Sequence, residues 1–411
     1  MVPILNRPMM EHILNLLKRH GFKDVASTLW YLPDDVTTHF GDGSDFGVSM
    51  NYYIEREPLG TAGSVKNASE FLDSTFVVVS GDALTDIDLS EAVAFHREKG
   101  SLATLVLTSV ANPLSYGVVL TAEDGRIAQF LEKPTWSQVF SDTVNSGIYI
   151  LEPEVLDLVQ PGQKVDFSQD VFPELLRRKA PLYGFVAPGY WSDVGNLDVY
   201  RQAQKDCLDG KVQLELPTPY KGNIYLEEDV YIHESAVVEG PVYLGKGTRI
   251  GAHAYVGPYS VTGPYSQIDP HANVKHSLLW SGVKLASRTQ LRGCVLAKDV
   301  LVERESEIYE GAVLGPKVRV GAMSTITPNS KVWPEKIILS GSKLRGSLVW
   351  GSQEQRPIFS KHGIAGDIRG NLTPETLIQL GLSYSAFLGR QKRVLVTSDF
   401  SKVADLAKRA L

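Results

Sequence analysis

Cysteine is scarce. The 411 residues hold two, Cys207 and Cys294, so far apart that no paired-cysteine metal spacing and no disulfide framework is available. A reducing cytoplasm is the compartment expected from that usage. Long apolar runs are missing too, and no stretch approaches the ~20 residues needed to span a bilayer. The opening Met1-Val-Pro-Ile-Leu-Asn-Arg-Pro8 is too short and too interrupted for a signal peptide. Charge of one sign is also lacking: 41 basic residues face 47 acidic ones, the formal net charge is -6, and neither sign forms a long run. That balance argues against a nucleic-acid or anionic-membrane surface, so neither partner is expected.

A chain of this length exceeds one ordinary core, and two or three domains are expected. As far as Asp206, helical patterns alternate with short strand-like runs, the mark of a crossover-connected α/β sheet. Phe76-Val-Val-Val-Ser-Gly-Asp82 is the key stretch. Its unbroken apolar run predicts a strand covered on both faces, and its turn sets Asp82 beyond the carboxyl end, where ligands sit in such sheets. Upstream, Pro58-Leu-Gly-Thr-Ala-Gly63 reads as a glycine turn before a helix from Ser64 to Phe71, with free N–H groups able to face a nucleotide.

Downstream, Tyr116 to Val119 and Ile127 to Pro134 read as paired strands around the turn Glu123-Asp-Gly-Arg126. Glu132 and Lys133 are adjacent and would face opposite sides of a regular strand. A turn forced by Pro134 would put a carboxylate for hydroxyls and an ammonium for phosphate in one cleft. Asn145, entering the strand Thr143 to Leu151, either contacts a polyol or closes a turn. Asp193, in Gly189-Tyr-Trp-Ser-Asp-Val-Gly195, is either a helix-entry residue or a partner of Asp82. Two carboxylates suit Mg²⁺, which takes few protein ligands and keeps positions for phosphate oxygens.

Leu59-Gly-Thr-Ala-Gly63, Ser80-Gly-Asp82, Tyr116-Gly-Val118, Glu132-Lys-Pro134, Asn145-Ser-Gly147 and Trp191-Ser-Asp-Val-Gly195 occur in one order. In this the chain resembles the sugar-1-phosphate nucleotidyltransferases, most of all the mannose-1-phosphate guanylyltransferase branch. The resemblance implies a Rossmann-like domain that transfers a nucleotidyl group from a nucleoside triphosphate, GTP favoured, to a sugar 1-phosphate, mannose 1-phosphate favoured, releasing pyrophosphate. It implies Asp82 and Asp193 as Mg²⁺ ligands and Gly60, Thr61, Ala62 and Gly63 around the base and ribose. It places Gly117, Glu132 and Asn145 against the sugar and Lys133 against its phosphate. Asp82, Lys133 and Asp193 would be the catalytic set. The family starts with a strand, a Gly-rich loop containing Gly-Thr-Arg, and a Lys-Pro pair. This chain starts at Met1-Val-Pro3, which matches the family's segment just after that pair, so little or no turnover is expected from it as written. A non-catalytic subunit sensing sugar nucleotide is the alternative.

After the proline-marked stretch 211–219, Leu244, Ile250, Val256, Thr262, Ile268 and Val274 recur every six residues. Thr248, Ala254, Ser260, Ser266 and Ala272 each come four positions after one of the first five. Such hexads predict a parallel β-helix over 220–350, left-handed by resemblance, with apolar side chains inward and small ones at corners. Phases resume around Val283, Leu291, Val295, Val300 and Ile308, and again at Val313, Val318 and Ile326, with register breaks between. Exposed coil faces make a homo-oligomer the expected state. Hexads also occur in acyltransferases with a histidine base, and His253, His271 and His276 keep that reading in view, although surface histidines are the simpler account.

From 358 a third texture resembles the opening of a phosphohexomutase: Ile368-Arg-Gly370 fits its motif, Ile364-Ala-Gly-Asp367 departs from it, and a helix from Pro374 through Leu388 precedes a strand Arg393 to Asp399. The expected organisation is a nucleotidyltransferase domain over 1–210, a linker over 211–219, the β-helix over 220–350, and a short α/β fragment over 358–411. The last of these stops before that family's phosphorylated serine, so mutase chemistry is not expected in it.

Overall fold

A computed structural model describes residues 1–350, 359–360, 363–364 and 374–388. The chain divides into two compact units, Met1–Thr218 and Pro219–Leu411.

The first unit runs α1 (Met9–Arg19), β1 (Asp24–Leu29), α2 (Pro33–Phe40), β2 (Ser49–Ile54), α3 (Gly60–Asn67), β3 (Phe76–Val79) and β4 (Ala83–Thr85). It continues with α4 (Leu89–Lys99), β5 (Ala103–Ser109), β6 (Gly117–Thr121), β7 (Ile127–Glu132) and β8 (Thr143–Leu151). It ends with α5 (Phe172–Arg177), β9 (Leu182–Val186), β10 (Trp191–Asp193) and α6 (Leu197–Leu208). Helix starts obey local chemistry. Asp88 caps α4 by accepting from the N–H groups of Ser90 and Glu91, and Asn196 caps α6 by accepting from Asp198 and Val199. With Asn196 as the cap, Asp193 is left free of that duty.

The main sheet has the order β9-β5-β8-β6-β7, with β3 also on β8. Only β5–β9 is parallel within it; the ladders of β8 with β3, β5 and β6 and of β6 with β7 are antiparallel, while β1 and β2 form a separate parallel pair. This corrects the expected parallel setting of Phe76–Val79. Among the described residues β3 has one neighbour, β8, and all four of its residues are half-buried, because a strand at a sheet edge is covered less than one in the middle. The expected helix from Ser64 to Phe71 begins earlier, at Gly60, ends at Asn67, and is succeeded by a separate 3-10 turn, Ser69–Phe71.

One detail of β8 shapes the unit. Its edge opposite β5 is shared: Val144 pairs with Val118 of β6, whereas Ile148 to Leu151 pair with β3. Between them the ladder to β5 breaks register from Asn145 to Ile148. Such an irregularity bends the strand and re-aims its side chains. β3 and β6 therefore diverge at Asn145-Ser146-Gly147, and a cleft opens in the fork.

In the second unit, short strands stack into one eight-stranded and two seven-stranded sheets, parallel apart from the antiparallel pair Pro219–Lys221 and Ile224–Leu226, and these are the three walls of a parallel β-solenoid. Leu244, Ile250, Val256, Thr262, Ile268 and Val274 all point into its core, and the small residues Thr248, Ala254, Ser260, Ser266 and Ala272 are buried at its corners, as the hexads predict. Val256 pairs with Val274 and Ile308 with Ile326, a rung of 18 residues; Val274 pairs with Leu291 and Leu291 with Ile308, a rung of 17. The register breaks are those shorter rungs, which turn their corner on Ser277 and Cys294, both fully buried.

Of the later phases, Leu291, Ile308 and Ile326 continue the inward column, and the others are shifted along the coil for the same reason. Leu279, Leu285, Leu291, Leu296, Val302, Ile308, Leu314, Val320 and Ile326 point inward. Val283, Val300 and Val318 occupy the corner site that Thr248 holds earlier, and Val295 and Val313 precede the inward Leu296 and Leu314. His253, His271 and His276 are exposed, with the first two ring-stacked at 5.1 Å between centroids. Helix Pro374–Leu388 is present. The Ile368-Arg-Gly370 motif, Ala365 to Asp367 and the expected strand Arg393 to Asp399 lie outside the described residues. No helix among the described residues is long and apolar enough to cross a membrane.

Candidate active site

The fork in the sheet holds a cleft of about 160 Å³ lined by Asp82, Tyr116, Gly117, Glu132, Asn145, Ser168, Trp191 and Asp193, among others. Each residue arrives by a different local device. Asp82 lies just past β3, its carboxylate accepting a hydrogen bond from Ser80 Oγ at 2.6 Å. Asp193 ends β10, which lies antiparallel to β4 with Asp193 opposite Ala83. Burial first, then the charge of Asp82, pushes the Asp193 carboxyl above its ordinary range, and Lys133 acts in the opposite direction. A half-buried carboxylate that feels a second, exposed one in the same cleft favours a cation beside it.

Glu132 sits at the end of β7, directly across from Gly117 on β6. A Cβ at Gly117 would lie 2.6 Å from Glu132 Oε2, so only glycine lets the carboxylate pass there. Burial raises the Glu132 carboxyl, Lys133 lowers it, and Asp166 raises it further. The turn expected near Pro134 is made by Lys133 itself, whose φ of 46° is left-handed and whose N–H donates to the Tyr116 carbonyl at 3.0 Å. Glu132 lines the cleft and Lys133 does not, but the turn leaves the ammonium near enough to be felt at both Glu132 and Asp193.

Asn145 lines the cleft with its amide largely committed. Nδ2 donates to Tyr149 Oη at 3.0 Å and Ser168 Oγ at 3.2 Å, and Oδ1 accepts from the Gly147 N–H. The Tyr149 hydroxyl is pushed up to about 12, chiefly by burial. Asn145 thus both lines the cleft and closes a turn. Trp191 braces the opposite side: Nε1 donates to the Ser146 carbonyl at 2.8 Å, and its ring meets Tyr116 edge-on at 5.3 Å.

Gly60 to Gly63 do not line this cleft; they form the first turn of α3. Their N–H groups are not all free, as the sequence led one to expect. Those of Ala62 and Gly63 donate to the Val165 carbonyl at 3.0 and 3.1 Å, and the Thr61 hydroxyl donates to Asp166 Oδ2 at 2.8 Å. Gly60 has φ +72°, and a Cβ there would meet Val165 O at 2.6 Å, so glycine is needed for both conformation and space. Asp166 and Ser168 carry no sequence signal, since a lone Asp and a lone Ser between apolar residues read as ordinary turn formers.

Among the described residues no three His, Cys, Asp or Glu gather as a metal cage. Asp82 and Asp193, two carboxylates lining one cleft, are of the donor type that Mg²⁺ takes, an ion that keeps positions for water and phosphate oxygens.

Residues 1–210 match the family described as Nucleotidyl transferase, and residues 221–326 match the EIF2B subunit epsilon LbH domain. The chain is 38% identical over 266 residues to a UTP--glucose-1-phosphate uridylyltransferase of Synechocystis sp., covering 61% of this chain and 69% of that one. It is 30% identical over 249 residues to a mannose-1-phosphate guanylyltransferase of Mycobacterium tuberculosis, covering 60% and 69%. It is also 34% identical over 242 residues to a mannose-1-phosphate guanyltransferase of Candida albicans, covering 57% and 64%. Those names differ in base and in sugar while agreeing in the type of transfer. With its first 210 residues matched and its cleft built as described, this chain belongs to the nucleotidyl transferase family.

Proposed function

We propose that the chain transfers a nucleotidyl group from a nucleoside triphosphate to a sugar 1-phosphate, with GTP and mannose 1-phosphate as the favoured pair. The observation that carries this reading is the convergence of Asp82, Asp193 and Glu132 in one cleft, under the charge of Lys133. In this reading a sugar-phosphate oxygen attacks the α-phosphorus in line, the bond to the β-phosphate oxygen breaks, and pyrophosphate leaves. No covalent bond to the protein is required, so positioning and electrostatics do most of the work. Asp82 and Asp193 would hold Mg²⁺, which when bound offsets phosphate charge. The Lys133 ammonium draws the sugar phosphate in and offsets charge in the transition state. Glu132 accepts hydrogen bonds from sugar hydroxyls, beside the hydroxyls of Ser168 and Tyr116.

Pyrophosphate release tests the reading, with GTP or UTP offered against mannose 1-phosphate or glucose 1-phosphate. Turnover that disappears in Asp82→Asn and Asp193→Asn supports it. Tight GDP-mannose binding with no pyrophosphate from any pair, even with the family's Gly-rich segment joined ahead of Met1, would favour the non-catalytic sensor instead, and acetyl-CoA binding at the solenoid histidines would revive the acyltransferase. We further propose that residues 358–411 begin a phosphohexomutase domain and that the solenoid mediates self-association; light scattering after size exclusion measures the latter.

A further inference from the structure

We propose that Asp166 is a positioning residue coupling the segment assigned to the nucleotide with the pocket assigned to the sugar; this rests on the function proposed above. Asp166 stands before a single turn of π-helix, Phe167–Val171. Such turns are rare and occur mostly where a chain must hold an unusual geometry. Its two carboxylate oxygens do different work. Oδ1 accepts from the N–H groups of Ser168 and Gln169 at 2.8 and 3.0 Å, which fixes the turn that presents Ser168. Oδ2 accepts from Thr61 Oγ1 at 2.8 Å, and that same hydroxyl accepts from the Phe167 N–H at 2.9 Å.

The two segments are also locked along their backbones. Val165 donates to the Leu59 carbonyl at 2.9 Å and accepts from Ala62 and Gly63. A Cβ at Gly63 would lie 2.5 Å from the Gln163 carbonyl, so the strip 163–168 and the first turn of α3 leave each other no room to slide. On the far side, Ser168 takes a hydrogen bond from Asn145 inside the cleft, and the charge of Asp166 is felt at Glu132.

A chain of contacts therefore runs from Thr61 to Asp166, from Asp166 to the Ser168 N–H, and from the Ser168 hydroxyl to Asn145. Whatever shifts α3 on seating a base displaces Asp166, and through it the two side chains that line the sugar pocket. Energetic coupling through such a chain is reciprocal: a nucleotide that alters sugar-phosphate affinity must have its own affinity altered by the same factor.

The test is calorimetric titration of the full chain with mannose 1-phosphate, with and without saturating α,β-methylene GTP, which cannot react at its α-phosphorus. In wild type the analogue is expected to change the sugar-phosphate Kd by about fivefold or more, within the usual range of coupling between sites. In Thr61→Val, which keeps the shape and loses the hydroxyl, that ratio falls to near one, with each Kd alone moving less than the ratio does. Asp166→Asn, which can still accept the two N–H bonds and donate to Thr61, retains the ratio. Ser168→Ala breaks the chain at its other end and carries the test should Thr61→Val not fold. If Thr61→Val and Ser168→Ala weaken both ligands alike and leave the ratio untouched, Asp166 is purely structural, and that result overturns the inference. A wild-type ratio of one overturns it as well. Wild type binding neither this pair nor the uridine and glucose pair overturns the proposed function itself.

Discussion

The N–H of Val194 donates to the carbonyl of Asp82 at 3.0 Å, and this bond closes the short ladder that sets Asp193 opposite Ala83. Two acidic residues remote in sequence thereby share one cleft, and the charge of Asp82 is felt at Asp193.

The first consequence is a pH dependence of stability. In the folded chain Asp193 holds its proton more tightly than in the unfolded chain, through burial and then the charge of Asp82. Its contribution is fully present below the ordinary carboxylate range near pH 4 and is lost as pH rises through the raised native value. Melting curves of wild type and Asp193→Asn from pH 3.5 to 7 should therefore diverge, with the variant gaining on wild type as pH rises. A constant difference across that window would mean that neither burial nor the charge of Asp82 raises the Asp193 carboxyl. Mg²⁺ should narrow the gap at neutral pH if the pair holds the ion.

Gly117→Ala should disturb the cleft from behind. The added Cβ meets Glu132 Oε2 at 2.6 Å and Phe130 Cζ at 2.8 Å, so Glu132 must turn away. About 1–3 kcal/mol of stability should be lost to the overlap. The KM for sugar phosphate should rise with little change for the nucleotide. An unchanged sugar-phosphate KM would remove Glu132 from the sugar site.

Lys133 separates backbone from charge. Its φ of 46° is costly for any residue with a Cβ and free for glycine. Lys133→Gly should unfold at higher denaturant than Lys133→Ala, by about 1 kcal/mol. Both should lose turnover to the same extent, because both lack the ammonium. If one of them stays active, the lysine charge is not what the reaction needs.

In the solenoid, neighbouring columns should respond in opposite ways. Ile308 is 1% exposed in the core, and Ile308→Ala should cost about 2–5 kcal/mol. Lys284 points outward from its strand, and Lys284→Ala should stay within ~0.5 kcal/mol. Chemical denaturation monitored by circular dichroism distinguishes them, and equal losses would contradict the inward and outward assignment.

The solenoid was legible in the order of residues because its rule is local. A six-residue period of Leu244, Ile250 and Val256 places each side chain inward whatever surrounds it, and the small residues four positions on mark the corners. Where a corner is one residue short, at Ser277 and Cys294, the local rule loses phase, and only the pairing of Val274 with Leu291 restores it. Strands of the first unit such as Ile127–Glu132 and Thr143–Leu151 were likewise readable from the sequence.

The cleft was legible in part of its lining, Asp82, Gly117, Glu132, Asn145 and Asp193, and not in its construction. Asp82, Glu132, Lys133 and Asp193 could be named from motifs, yet nothing in their spacing says that β8 divides its edge between β3 and β6, or that β3 is half-exposed and antiparallel. Strand pairing depends on which partners win along the whole chain, so direction and edge position are decided by tertiary structure. The same holds for Asp166, whose link to Thr61 spans segments that no sequence period relates. Sequence by itself determined the chemical groups and the repeat. The folded structure alone decided which groups meet, because hydrogen bonds between distant segments form only after the backbone has brought them within reach.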